Sequence, residues 1–574
     1  MPRGDVKGRE AMKDLLGRIA RWSHRFSFSG LVLGILAFAA STTPSLIPRG
    51  WLYQGVISGF SLIIGYAIGT SLRAIAARFG LTAGPSPAHR VLIRRILLGG
   101  GAVVVLATLV TGTASQRRLA TLWGLEQTPE AHLMSTAVLA LGLALGLLFL
   151  GRALRRAVVA LGRVLARWLP KQAAGALAFL AVTGLVVGTV SGIFEDVVLS
   201  SLTSTFTARD STSRDGVTEP TSSTRSGSPD SLQAWDTLGF EGRTFVTGGP
   251  TVEEIEAETG RPAIEPIRVY AGLASADESV EVDFDALAAE VVAELDRTNA
   301  WDRAVVAVGT TTGTGWVDPL SVTALEYLQG GDTAIAAMQY SVNPSWVTLV
   351  LDIKKPAEAG TALFEAVHAR WNELPVDDRP QLVPFGVSLG SYGSQAAFNS
   401  LDSLTSRATG AVWAGTPMFT PLWADLTASR DAGSPEIHPV LDGGETVRWA
   451  TQNGGDQFLD SLGPADLPRV AYLQHPSDGV VWWWWPTAWH RDEWFTEPHG
   501  QDVIAGVRWW PVVTGLQLLG DMFVAGSADV PLGYGHNYGS GYVDSWYWVT
   551  QPDGWDEASI EQLRQTVISS VRPG

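Results

Sequence analysis

The stretch PFGVSLGSYGSQAAF, residues 384–398, contains the pattern G-x-S-x-G at positions 386–390. This pattern is typical of a sharp strand-to-helix turn that exposes a nucleophilic serine, here Ser388. The residues before the turn, QLVPFGV, favour a strand, and the residues from Gly390 onward favour a helix. The two glycines allow a sharp turn and close packing of the helix on the strand. The sequence therefore predicts a catalytic nucleophile at Ser388 in preference to an ordinary Gly-Ser turn.

Short apolar runs alternate with helical patterns on both sides of this turn. The strand-like runs are 303–309, 333–341, 381–388, 410–415 and 469–475. The helical patterns between them are 285–297, 319–329, 356–374 and 391–403. Continuous apolar strands that alternate with helices indicate a parallel sheet covered on both faces. The sequence predicts a doubly wound, mainly parallel α/β domain over 239–574.

A serine hydroxyl is a weak nucleophile and needs a base that is itself held by an acid. In a fold of this kind the acid and then the base follow the serine along the chain. Asp478 comes after the apolar run RVAYLQH, and His536 lies in the glycine-rich stretch PLGYGHNYGSGY. We therefore expect Asp478 and His536 to complete a triad with Ser388. The competing residues are His438, His490 and His499 for the base and Asp456, Asp460, Asp492 and Asp502 for the acid, while His475 is expected to be structural.

An oxyanion hole needs two backbone N–H donors. One comes from the residue after the nucleophile, Leu389, and the other from the loop after an earlier strand. The stretch VAVGTTTGTGW (306–316) places Thr310 and Thr311 in such a loop. This loop satisfies neither G-K-[ST] nor G-x-G-x-x-G, so no nucleotide site is expected. The chain has no cysteine, which excludes thiolate metal ligands and a cysteine nucleophile, and we expect neither a cofactor nor a metal.

The two parts of the chain differ in charge and hydropathy. Residues 1–200 carry a net charge of +14 and the remainder −30, and the acidic part offers no cationic surface for a nucleic acid. Five uncharged apolar runs approach the roughly 20 residues that a membrane-spanning helix needs. These runs are 28–46, 52–72, 96–114, 133–151 and 174–194. The prediction is a five-span α-helical membrane domain over 27–198 that follows a basic tail, 1–26.

The segments between the runs alternate in charge. The N-terminal tail has 7 basic and 3 acidic residues, segment 73–95 has 5 basic residues, and segment 152–171 has 6, the last two without any acidic residue. Segments rich in Lys and Arg stay in the cytoplasm. Five crossings then place the C-terminal domain outside the cytoplasmic membrane. The Ser/Thr-rich segment 199–238 contains few apolar residues, and this composition predicts a disordered linker.

The sequence resembles the actinobacterial membrane-anchored α/β-hydrolases, which combine a multi-span N-terminal domain with a C-terminal catalytic domain. The stretches that carry this resemblance are 40–51, 264–273, 308–319, 343–352, 385–393, 475–483 and 512–539. The resemblance implies the roles of nucleophile, acid and base for Ser388, Asp478 and His536. Val387 departs from the family pattern, in which Glu is expected beside the nucleophile. The Trp-rich region 508–524 is expected to form a lid.

Together these features predict a serine hydrolase of the cell envelope, either an esterase or lipase or an acyltransferase. Its expected substrate is an apolar acyl ester, such as a lipid, at the outer face of the cytoplasmic membrane. The alternative is a non-catalytic envelope scaffold or lipid-binding protein that retains the fold. The run Trp482 to Trp485 fits either a core with one exposed edge or the lining of an apolar cleft or lipid surface.

Overall fold

The computed structural model describes residues 26–81, 87–126, 131–193, 199–273, 280–451, 467–527 and 529–570. Within them the chain forms two compact units. The first unit contains the described residues up to Val186 together with Trp485–Phe495 and Val503–Val524. The second contains the described residues of Val187–Trp484, Thr496–Asp502 and the chain from Ala525 onward. The predicted basic tail lies outside the described residues except for Phe26.

The N-terminal part of the chain is helical. Its helices are α1 (Phe28–Ser41), α2 (Trp51–Arg78), α3 (Pro87–Leu122), α4 (Ala131–Leu165) and α5 (Lys171–Ile193). Among the described residues, four helices, α2 to α5, are long and apolar enough to cross a membrane. Helix α1 has 14 residues, which at 1.5 Å per residue is about 21 Å, short of the roughly 30 Å hydrocarbon core. The first of the five predicted spans is therefore too short for a complete crossing, because prolines 44 and 48 follow its end and cannot continue a helix.

The second unit is built on a sheet of seven strands within the described residues. The strands are β1 (Ile267–Ala271), β2 (Val305–Thr310), β3 (Thr333–Met338), β4 (Gln381–Val387), β5 (Gly410–Ala414), β6 (Val447–Ala450) and β7 (Arg469–Leu473). They pair in the order β1-β3-β2-β4-β5-β7-β6, and every pairing is parallel. The predicted parallel α/β architecture is confirmed, and five of these strands overlap the predicted runs.

Strands β1 and β6 were not predicted from the sequence. Each contains a charged residue, Arg268 in β1 and Arg448 in β6, within only five and four residues respectively. The guanidinium of Arg268 is buried and forms two hydrogen bonds of 2.7 Å with the carboxylate of Glu326. The partner that makes this charge compatible with a buried strand lies 58 residues away in the chain, so local hydropathy does not reveal the strand.

Further helices follow α5 along the chain. They are α6 (Ser200–Asp210), α7 (Gly239–Thr247), α8 (Val252–Thr259), α9 (Phe284–Arg297), α10 (Pro319–Leu328), α11 (Ser345–Leu351), α12 (Lys354–Asn372), α13 (Leu389–Gln395), α14 (Leu401–Thr405), α15 (Pro421–Ala428), α16 (Gly479–Trp482), α17 (Val513–Ala525), α18 (Gly541–Thr550) and α19 (Glu557–Ser570). Helices α10, α18 and α19 share a core with strand residues such as Ala307 and Val383. Helices α9 and α12 contact the sheet outside that core. Burial on both sides explains why the strands read as continuous apolar runs.

The segment expected to be a disordered linker, 199–238, is ordered in the structure. Helix α6 occupies its first part, and Ser226 near its middle is fully buried. The buried carboxylate of Glu294 accepts hydrogen bonds from Ser226 Oγ at 2.8 Å and from Leu232 N at 2.6 Å. The prediction of disorder was wrong because composition counts apolar residues and misses polar groups that are buried with hydrogen-bond partners.

Helix α17 lies in the first unit except for its last residue. Asp521 on this helix is fully buried, and its Oδ1 lies 3.0 Å from Nε of the equally buried Arg49. The other oxygen of Asp521 accepts a hydrogen bond from Leu46 N at 3.2 Å, and Gln517 Nε2 donates to the Thr43 carbonyl at 3.2 Å. This helix occupies most of the Trp-rich region 508–524. Its anchorage differs from the lid expected over 508–524, because a buried ion pair holds the helix against the chain that follows α1.

Candidate active site

Ser388 lies on the turn between β4 and α13, as the motif predicts. Its φ of +57° is in the left-handed region, which is costly for a residue with a side chain and recurs at functional sites. A β-carbon at Gly386 would lie 2.5 Å from the carbonyl carbon of Gly390, and one at Gly390 would lie 2.3 Å from the Thr310 carbonyl oxygen. Both motif glycines are therefore required, because the backbone at each position comes so close to neighbouring backbone atoms that a side chain would not fit.

Asp478 and His536 form a direct pair, with Oδ2 of the carboxylate 2.6 Å from Nδ1 of the ring. Asp478 is fully buried and caps α16, because its Oδ1 accepts a hydrogen bond from Val480 N at 2.8 Å. Tyr538 donates its hydroxyl to Oδ2 at 2.6 Å. Burial opposes ionisation of the carboxyl, but His536 and these hydrogen bonds outweigh it and hold the pKa of Asp478 below its ordinary value. A carboxylate acceptor fixes the proton of His536 on Nδ1 and leaves Nε2 free to accept one.

Among the described residues between β7 and His536 there is no further strand, and hydrogen bonds hold the loop that carries His536. Gly535 N donates to Ser477 Oγ at 2.9 Å, and the Gly535 carbonyl accepts from His475 Nδ1 at 2.8 Å. His536 N donates to the Ala525 carbonyl at 2.9 Å. These bonds position the ring of His536 without a preceding strand. His475, expected to be structural, is one of the groups that hold this loop.

Ser388 and His536 each contact the chain at the carboxyl end of β5. Ser388 N donates to the Ala414 carbonyl at 3.0 Å. Gly415 follows with a φ of +56°, and a β-carbon on it would lie 2.3 Å from Cε1 of His536. Among the described residues, the Ser388 hydroxyl forms no hydrogen bond with His536. Catalytic hydrogen bonds of this kind are often long in free enzymes and shorten when substrate binds.

The end of β2, which includes Thr310, and the loop that begins at Thr311 lie against the first turn of α13. The Thr310 carbonyl faces Gly390, as the close approach above shows. Thr311 Oγ1 donates to the Met338 carbonyl at 2.9 Å, which fixes the loop against the end of β3. Leu389 directly follows Ser388 and is buried. The structure therefore brings Leu389, Thr310 and Thr311 to the same turn as the serine.

The other acids named from the sequence have different surroundings. Asp502 accepts a hydrogen bond from Ser477 N at 3.0 Å, so it contacts the residue before Asp478. Burial raises the pKa of Asp502. Asp492 accepts from Thr487 Oγ1 at 3.1 Å within the first unit. The partner of Asp478 is His536, not one of the competing bases His438, His490 and His499, and Asp456 and Asp460 lie outside the described residues.

Three residues of the site were missed by the sequence analysis: Tyr538, Ser477 and Gly415. The first is a second donor to the acid, and the second holds the histidine loop. The third leaves space for the imidazole ring. Tyr538 is two residues after His536, Ser477 directly precedes Asp478, and Gly415 is the last residue of the predicted strand run 410–415. Their positions in the sequence could therefore have marked them as candidates, but their contacts depend on the fold.

Comparison with known proteins gives two family matches. Residues 267–563, more than half of the chain, match a family described as "Alpha/beta-hydrolase family". Residues 42–250 match a second family described as "Alpha/beta-hydrolase family N-terminus". Comparisons with curated proteins and with solved structures gave no match. The two matches together include most of the helical N-terminal part and the whole seven-stranded sheet.

Proposed function

This chain belongs to the alpha/beta-hydrolase family, and we propose that it is a membrane-anchored serine hydrolase that cleaves an apolar acyl ester. The observation that carries the proposal is the buried Asp478–His536 pair beside a serine with positive φ. Such a pair supplies a base in the tautomer that a serine nucleophile needs. The proposed catalytic residues are Ser388, His536 and Asp478.

In the first half of the reaction, His536 Nε2 takes the proton of Ser388 as Oγ attacks the ester carbonyl carbon. The negative charge then falls on the carbonyl oxygen, which would accept hydrogen bonds from Leu389 N and from Thr310 N or Thr311 N. One such donor contributes on the order of 3 kcal/mol to lowering the barrier. The bond to the leaving alcohol breaks, and His536 gives its proton to that alcohol. The product is an acyl-serine.

In the second half, His536 takes a proton from water, and the resulting hydroxide oxygen attacks the acyl-serine carbonyl. The bond to Ser388 Oγ breaks, the proton returns to the serine, and a carboxylic acid leaves. A sugar or lipid hydroxyl in place of water would give a new ester, so the same residues support an acyltransferase. Asp478 takes no proton; it orients the ring and stabilises its positive charge in both halves.

We propose that the reaction takes place at the outer face of the cytoplasmic membrane. Segment 152–171 carries 6 basic residues and no acidic residue, which favours a cytoplasmic position. Helix α5 follows as a single candidate span and leads into the second unit. This argument depends on one crossing only and is independent of the short helix α1.

The orientation can be tested by cysteine labelling, because the natural chain has no cysteine. Ser213→Cys lies at an exposed position after α5, and Ala166→Cys lies at an exposed position in the basic segment. A membrane-impermeant maleimide added to spheroplasts should label the first variant and leave the second unlabelled until the membrane is opened. The reverse labelling pattern would place the second unit in the cytoplasm.

The chemistry can be tested with a fluorophosphonate probe, which reacts with activated serines. The wild-type protein should label, and Ser388→Ala should not. Ser391→Ala is a matched control, because this serine lies on α13, the helix that follows Ser388, and its hydroxyl bonds to that of Thr416 at 2.6 Å. An unlabelled wild-type protein would contradict the proposal and favour a non-catalytic envelope protein.

A further inference from the structure

We propose that Tyr392, Phe419 and Trp484 form a subsite that binds the acyl chain of the substrate, and we call these three residues the aromatic row. This inference rests on the proposed function, because it names the residues that would bind the acid part of the ester substrate. It also gives a position to one member of the tryptophan run at 482–485.

The three rings form a continuous contact within the second unit. The ring centroids of Tyr392 and Phe419 are 5.7 Å apart, and those of Phe419 and Trp484 are 4.6 Å apart. All three side chains are half-buried, so each keeps surface available to another molecule. The row thus offers a partly exposed apolar strip of three rings rather than a closed core.

The neighbouring tryptophans differ from Trp484 in burial. Trp482 is fully buried and packs edge-on against Trp423. Trp483 is also buried, whereas Trp485 is 57 % exposed and belongs to the first unit. The four tryptophans of the run therefore have different environments, and Trp484 is the one that belongs to the aromatic row.

Each member of the row is linked to one residue of the proposed triad, two of them through the chain and one through a close approach in space. Tyr392 is one helical turn after Ser388, and its N donates to the Ser388 carbonyl at 3.0 Å. Phe419 is on the loop that begins at Gly415, the residue against the His536 ring. Trp484 follows α16, the helix that Asp478 caps.

One further contact joins these segments. Met418 N, beside Phe419, donates to the Val481 carbonyl of α16 at 2.9 Å. The loop after β5 is therefore tied to the segment that carries the acid. Two rings of the row therefore lie on the segments that carry Ser388 and Asp478, and the third lies on the loop whose first residue, Gly415, is against the His536 ring. From this arrangement we infer that a substrate held on the row has its ester group near Ser388.

The chemistry of the row selects an uncharged, flexible chain. Burial raises the pKa of Tyr392, so its hydroxyl stays neutral and all three rings are uncharged at neutral pH. Apolar chains gain from contact with aromatic surface, and each buried methylene raises kcat/KM by about fourfold. We therefore infer a medium-chain or longer fatty acyl ester, in preference to an acetyl ester.

The test is the ratio of kcat/KM for p-nitrophenyl octanoate to that for p-nitrophenyl acetate. The wild-type ratio should exceed one, and Phe419→Ala and Trp484→Ala should each lower it by about tenfold or more. Trp371→Ala is the matched control. This half-buried tryptophan donates to the Pro380 carbonyl just before β4, at the end of the strand opposite Ser388, and its loss should leave the ratio unchanged.

The outcomes separate this inference from the proposed function. A wild-type protein that neither labels with fluorophosphonate nor hydrolyses any ester would overturn the proposed function. A wild-type protein that does both, with both alanine variants keeping its chain-length ratio, would overturn the subsite alone. If an alanine variant fails to fold, Phe419→Leu and Trp484→Phe replace it, and fluorophosphonate labelling shows that the triad is intact. A wild-type ratio retained in these variants would also overturn the subsite.

Discussion

Replacement of Asp478 by Asn tests the geometry of the acid–base pair with a change of one atom. In the structure Oδ1 of Asp478 accepts from Val480 N, and Oδ2 accepts from both His536 and Tyr538. The amide oxygen of Asn would keep the bond to Val480 N, because that bond caps α16. The amide nitrogen would then face the ring of His536.

An amide nitrogen is a donor, so His536 Nδ1 would have to accept and its proton would move to Nε2. The ring could then no longer take the proton of Ser388. Holding a catalytic imidazole in the wrong tautomer lowers kcat by about 10⁴-fold, or about 5 kcal/mol of barrier. KM should change little, since neither atom of the new amide is expected to touch the substrate.

The assay is kcat for an ester together with the rate of fluorophosphonate labelling, with the melting temperature as a check on folding. Asp478→Ala should lose a similar factor in kcat and also lose the cap of α16, which costs about 1 kcal/mol of stability. Asp283→Asn is the control, because Asp283 likewise caps a helix, α9, through a bond from Ala286 N at 3.0 Å and is not part of the proposed triad. A value of kcat within tenfold of wild type for a folded Asp478→Asn protein would refute the assigned role.

Three further changes test the surroundings of the site and the first unit. Tyr538→Phe removes a hydrogen-bond donor that helps to hold the pKa of the Asp478 carboxyl low. A carboxyl with a lowered pKa stabilises the fold above about pH 4, and this stabilisation is lost as the pH falls. The increase in the free energy of unfolding between about pH 3 and pH 7 should therefore be smaller in the variant than in the wild type. Gly390→Ala forces a β-carbon to 2.3 Å from the Thr310 carbonyl oxygen, so it should abolish probe labelling, and full labelling would show that the loop yields. Arg49→Met or Asp521→Leu alone leaves a buried charge and should cost about 3–5 kcal/mol, whereas the double variant should be more stable than either single one in detergent unfolding.

Local sequence predicted the elements whose signals are carried by neighbouring residues. The turn at Ser388 was predictable because its glycines, its strand and its helix are contiguous in the chain. Helices α2 to α5 were predictable because an uncharged run of about 20 residues has few other ways to be stable. The order of serine, acid and base favoured Asp478 and His536 as the other two residues of the proposed triad, but it left several competing acids and histidines.

The tertiary structure decided the pairings between residues far apart in the chain. His536 and Asp478 are 58 residues apart, and Glu294 is 68 residues from the Ser226 that it orders. Helix α17 joins the first unit through Asp521 and Arg49, which are separated by most of the chain. Composition and periodicity indicate only the structure that a segment favours through interactions between residues close together in the chain. A buried polar group is stable only with a specific partner, and the fold alone determines which partner is within reach.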